Sequence, residues 1–205
     1  MPETEQPLNW YQTLLADDRA YGFNRQNPLW IILHLISEPG LSAVFIYRLA
    51  QLCHDSGSIG RQFAKLLVRF NLFLNGCFIG VPSTVGPGLY LPHPVGVVIG
   101  SEGGVLGKNV IIHQNVTLGL IHPASGITEI TLRPHIDDGA MISAGAVVLG
   151  GLRIGKRSVV GANAVVLKDV PDDSIAVGIP ARILPKKETY TSSRSSTEDK
   201  TTSPA

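Results

Sequence analysis

Two cysteines in 205 residues, at positions 53 and 77, leave no cluster with metal-ligand spacing and no disulfide framework, so no metal is expected. Cys53 falls in a helical pattern and Cys77 in an apolar run, so both read as reduced core residues, as in a cytoplasmic protein. An excess of either charge is equally missing. Lys plus Arg number 17 against 16 for Asp plus Glu, a net charge of +1, which provides no basic field for nucleic acid. Long apolar runs are absent too: LWIIL and NLFLNGCFIGV are interrupted by polar residues far short of a membrane span. The start, MPETEQPLNW, has neither the basic nor the apolar region of a secretory signal.

The 44% apolar content is enough for a core, and it is distributed in three segments of different grammar. Residues 1–75 read as a helical cap. In LSAVFIYRLAQL, Leu41, Val44, Phe45, Leu49 and Leu52 recur at steps of three and four, after a break at Pro39 and Gly40. Gly57 and Gly60 mark a second break, and RQFAKLLVRFNLFL then puts Phe63, Leu66, Leu67, Phe70 and Leu74 on one side. Residues 186–205, KKETYTSSRSSTEDKTTSPA, are rich in Ser, Thr and charge, the composition of a disordered tail.

Residues 76–185 repeat with a period of six. Ile136, Ile142, Val148, Ile154, Val160 and Val166 are branched aliphatics in phase, each followed four positions later by Ala140, Ala146, Leu152, Ser158, Ala164 and Val170. Leu106, Ile112 and Leu118 keep the step upstream, as do Val85 and Leu91. Six matches neither a helix nor a two-residue alternation. It does match a solenoid in which each hexad makes one short strand and one corner, with three hexads to a triangular coil. The aliphatic residue then points into the prism and the small or Gly residue serves the corner.

The phrases PGLSAVFIYRLAQL, VGPGLYLPHPVGVVIG, VIIHQNVTLG, ISAGAVVLGGLRIG, VVGANAVVLKDVP and VGIPARIL run in the order found in the hexapeptide-repeat acyltransferases. Within that superfamily the chain most resembles the serine acetyltransferases, over about residues 27–185. The resemblance implies a left-handed parallel β-helix, mainly β, behind an N-terminal α-helical cap. It also implies acetyl-CoA as cosubstrate, a small-molecule hydroxyl acceptor, L-serine by default, and a homotrimer with its site in the groove between chains. Serine acetyltransferases that dock into a sulfhydrylase do so through a C-terminal Ile. This sequence ends in Ser-Pro-Ala, so no such complex is expected.

His93, in LPHPVGVV, falls on the family's catalytic histidine. Imidazole is the side chain already tuned to take a proton from an alcohol near neutrality. The bland alternative is a corner histidine packed between Pro92 and Pro94. The family's orienting Asp falls on Phe78, and Glu102 is the nearest acidic replacement in sequence. The two acidic positions that meet the amino group of serine fall on Asn27 and Pro92, and the Arg-His pair for its carboxylate falls on Leu132 and Arg133. Arg133 and Asn27 therefore remain as acceptor-binding candidates, and a sugar hydroxyl of a surface-polysaccharide precursor becomes the alternative acceptor. His122, in a loop like that of galactoside-type acetyltransferases, and His135, in a phrase resembling colanic-acid-type enzymes, are rival bases. His113 reads as a packing or interface residue, while His34 and His54 are expected at the surface of the cap. By resemblance, Ala144 and Ala162 leave room for the pantetheine arm of CoA, and Lys168 and Arg182 stand near its phosphates. A non-catalytic hexapeptide scaffold is the reading of a different class.

Overall fold

The computed structural model describes residues 8–23, 28–100, 104–120 and 133–186. Helices occupy the first part: α1 (Trp10–Ala20), α2 (Pro28–Ser37), α3 (Pro39–His54) and α4 (Ser58–Asn75). Short strands follow: β1 (Phe78–Ile79), β2 (Thr84–Val85), β3 (Val98–Ile99), β4 (Val105–Leu106), β5 (Ile111–Ile112), β6 (Thr117–Gly119) and β7 (His135–Ile136). They continue with β8 (Met141–Ile142), β9 (Val147–Leu149), β10 (Arg153–Ile154), β11 (Val159–Val160), β12 (Val165–Val166), β13 (Ser174–Val177) and β14 (Arg182–Pro185).

The strands stack into three sheets, β1-β3-β6-β9-β12, β2-β4-β7-β10 and β5-β8-β11-β13-β14, which are the three faces of a prism. All pairings are parallel except β13 with β14, where the chain doubles back and covers the edge of the third sheet. In the later coils the register advances by eighteen residues, Ile136 onto Ile154 and Ile142 onto Val160. The in-phase aliphatics point inward as their period requires: Ile136, Ile142, Val148, Ile154 and Val160 are all fully buried.

The small residues four positions on do not themselves turn the corners. Ala140, Ala146, Ser158 and Ala164 lie inside the prism at the corners, while the residue before each one carries a left-handed backbone. Those residues are Gly139, Gly145, Arg157 and Asn163, with φ between 54° and 70°. Asn is tolerated there because its side chain is short and polar. Gly is required where the coils stack closely, since a Cβ on Gly145 would lie 2.2 Å from Asn163 Oδ1.

A solenoid end exposes unpaired backbone groups unless something covers it. Here the helices supply partners atom by atom. Arg48 donates to Val85 O at 2.6 Å and Gly86 O at 2.7 Å, and Asp17 accepts from the amides of Gly88 and Leu89 at 2.8 and 3.1 Å. Arg48 and Asp17 also pair with each other at 3.0 Å, both buried. Tyr47 donates to Ser83 O at 2.6 Å, and Tyr21 Oη accepts from Leu91 N at 3.1 Å. Gly40, at the start of α3, packs so closely that a Cβ would fall 1.9 Å from Leu91 O.

One expectation about the cap changes. His34 is buried, not superficial: its Nδ1 lies 2.8 Å from Asp18 Oδ1 and its ring stacks on Phe23. It lies on the inner side of α2, with Ile32, Leu33 and Ile36 turned outward, and a buried carboxylate satisfies it there. The apolar side of α4 faces outward, with Phe63, Leu66, Phe70 and Leu74 all about half exposed. The side packed on α3 instead carries Ala64, Asn71 and Asn75, and Asn71 donates to Ala43 O at 3.0 Å. Among the described residues no helix is long and apolar enough to cross a membrane.

Candidate active site

His93 stands on a corner that is longer than its counterparts. From Leu91 to Ile99, the positions stacked on Ile112 and Leu118 of the next coil, the chain takes eight positions, whereas Ile112 to Leu118 and Ile142 to Val148 take six. The two extra residues push the corner outward. Pro94 is buried and anchors it, and the His93 side chain is exposed. Both ends of the corner are held, Leu91 by Tyr21 and Gly96 by the backbone of Gly76 at 2.9 Å.

The next coil places His113 beside it. Burial, and after it the charge of neighbouring His93, hold the His113 imidazole below its usual value. Gln114 follows at the same corner. Its Oε1 is buried without a hydrogen-bond partner among the described residues, although a buried acceptor of this kind is costly to leave unpaired. Nothing in the hexad pattern distinguished Gln114, because it occupies an ordinary corner position; only its orphaned oxygen does.

Below Gln114 the same corner continues through Ala144 and Ala162. The Gly145 amide donates to Gln114 O at 3.0 Å, that of Asn163 to Ala144 O at 2.9 Å, and that of Val165 to Gly178 O at 3.1 Å, so the positions form one column. The column ends at an open cleft of about 870 Å³ lined by Gly178, Ile179 and Pro180 together with Lys168 and Arg182. His93, Gln114, Ala144, Ala162 and the Lys168–Arg182 cleft thus follow one another down a single edge. With about 4.8 Å between coils, four steps carry the edge about 19 Å.

Other residues singled out in the sequence stand elsewhere. His135 opens β7, on the face opposite that edge, with Nε2 3.1 Å from Asp137 Oδ1. Arg153 joins Asp137 to Asp172, so His135 belongs to an exposed ladder of charges. Arg133 precedes that strand and its Nε is buried without a hydrogen-bond partner among the described residues. Phe78, where the family has its orienting carboxylate, is a half-buried residue of β1. Burial pushes the Cys77 thiol up to about 12, which leaves essentially no thiolate at neutral pH. Asn27, Glu102, His122 and Leu132 lie outside the described residues.

Residues 133–168 match the family described as "Bacterial transferase hexapeptide (six repeats)". The serine acetyltransferase of Helicobacter pylori is 37% identical over 160 residues, which cover 77% of this chain and 86% of that protein. The chain belongs to the serine acetyltransferase family. That of Mycobacterium tuberculosis is 38% identical over 71% of this chain, and the match spans only 61% of its own length. Among solved structures, soybean serine acetyltransferase complexed with serine aligns with a TM-score of 0.72 and 34% identity, over 84% of this chain and 68% of that one. A serine acetyltransferase in complex with CoA aligns with a TM-score of 0.69 and 28% identity, over 84% and 68% of the two chains. These relatives give the prism its hand, a left-handed β-helix behind helices, as the resemblance implied.

Proposed function

We propose that this chain transfers the acetyl group of acetyl-CoA to a hydroxyl, with L-serine as the acceptor. The observation that carries the reading is the single edge on which an exposed histidine, small residues and a basic cleft succeed one another. In this reading Lys168 and Arg182 meet the phosphates of CoA, and Ala144 and Ala162 leave its pantetheine arm room against the prism. The thioester then arrives at the His93 corner. His93 takes the proton of the acceptor hydroxyl as its oxygen attacks the thioester carbon. The carbon–sulfur bond breaks, and His93 returns the proton to the departing CoA sulfur. Gln114, whose side-chain oxygen meets no donor among the described residues, is assigned to an N–H of the bound cosubstrate. No acyl-cysteine is needed, and the elevated Cys77 thiol argues against one.

Residues 1–75 serve as the cap that satisfies the first coil, residues 76–185 carry the reaction, and residues 186–205 take no part in it. The acting species is a homotrimer, with the site in the groove between neighbouring prisms. In the same reading the chain works in the cytoplasm, as its two unpaired cysteines suit. A second reading, transfer to a sugar hydroxyl, is favoured by Pro92 and Phe78, which replace carboxylates with surfaces suited to a sugar ring. Thiol release measured with L-serine and with a panel of hexoses separates the two. Saturable turnover of L-serine alone supports the first, and turnover of sugars alone replaces it with the second. A scaffold would bind no acetyl-CoA by calorimetry, and that result would remove both.

A further inference from the structure

The edge of α4 that flanks its outward apolar side carries a separate feature. Arg61, Lys65 and Arg69 recur at i, i+4 and i+8, so they stack one above another. Like charges at this spacing work against a helix. Nothing within the helix relieves them, because α4 contains neither Asp nor Glu. Among the described residues none of the three joins an ion pair, and the only side-chain hydrogen bond is from Arg61 to Ser58 Oγ at 3.2 Å.

These cations border a cleft of about 320 Å³ between α4 and the first coil, with His54 from the end of α3 at the same rim. Its floor is apolar, formed by Val68, Phe78 and Pro82, and among the described residues no carboxylate lines it. A row of guanidinium and ammonium groups without counter-charge is suited to an anion, and the guanidinium fork matches phosphate oxygens in pairs. Arg61 and Arg69 lie about 12 Å apart along the axis, too far for one phosphate and within reach of two linked ones. The apolar floor accommodates an organic group esterified to them, and the volume is at the small end of ordinary ligand sites.

We propose that this cleft binds a diphosphate ester, with its phosphates along Arg61, Lys65 and Arg69 and its organic part against Val68, Phe78 and Pro82. The cleft is distinct from the Lys168–Arg182 cleft, which lies at the far end of the solenoid. Its neighbour is the His93 corner: Gly76, which closes α4, packs against Val95 and holds the Gly96 amide. The binding itself does not rest on the acetyl-transfer reading.

Calorimetry of the full chain with inorganic pyrophosphate tests it, followed by UDP-glucose and farnesyl diphosphate as nucleotide-linked and lipid-linked esters. Pyrophosphate should bind the wild type, and Arg61→Gln with Arg69→Gln should weaken it at least tenfold while CoA affinity stays within twofold. At least one ester should bind more tightly than pyrophosphate, and the tighter of the two identifies the source. Lys65→Glu, a single change at an exposed position, should abolish binding and serves if the double variant fails to fold. No pyrophosphate binding by the wild type, equal binding by the variants, or loss of pyrophosphate binding in Lys168→Gln with Arg182→Gln would each overturn the proposal.

Discussion

At the scale of single residues, the exposed position of His93 comes from two inserted residues in one corner, and the base assignment can be tested there. His93→Ala should reduce kcat/KM by about two to four orders of magnitude while leaving CoA affinity and melting temperature nearly unchanged. If turnover survives that change and is lost in His122→Ala, the base is the other histidine. His113 gives a second test by NMR titration. Its protonation should occur below the ordinary imidazole value of about 6.5. In His93→Ala it should move upward, because the neighbouring charge is gone, without reaching the ordinary value, because burial remains the larger cause. The linked effect on stability has a definite sign. The unfolded imidazole binds its proton at higher pH than the folded one, so stability falls as pH drops through the unfolded value and levels off below the folded one.

At the scale of elements, the junction between cap and first coil depends on a buried carboxylate and a buried guanidinium. Burial pushes the Asp17 carboxyl up, opposed by the charge of Arg48 and by hydrogen bonds from Arg48, Gly88 and Leu89. Asp17→Ala leaves Arg48 buried without its counter-charge, a change that costs about 3–5 kcal/mol. Urea denaturation should show a lower midpoint, and a shift no larger than that of an ordinary surface substitution would refute this account of the junction. The corners make their own demand. Gly145→Ala meets both a φ of 70° and the oxygen of Asn163, so it should destabilise by more than about 1 kcal/mol, whereas Gly139→Ala, with only Arg157 Cγ at 3.6 Å, faces the φ alone and should cost less. Equal shifts for the two would remove the close approach of stacked coils as the cause.

At the scale of the whole molecule, a helix that turns Phe63, Leu66, Phe70 and Phe73 towards solvent calls for a partner surface. Sedimentation should find a trimer at micromolar concentration, and a stable monomer there would count against a site shared between chains. Deleting the residues after Lys187 should leave turnover and melting temperature unchanged, because that composition supports no core. The sequence by itself determined the solenoid, since a six-residue period of branched aliphatics can be buried in no other common way. It also fixed the order of His93, Ala144, Ala162, Lys168 and Arg182 along the chain. The period alone puts Ala144 and Ala162, eighteen residues apart, on one edge, but it did not determine that His93 and the Lys168–Arg182 cleft join them, because the first coils depart from eighteen residues and the last strands double back. The burial of His34 and the outward side of α4 were likewise decided by packing. A helical period says that residues share a side, and only the neighbouring elements decide whether that side faces the core.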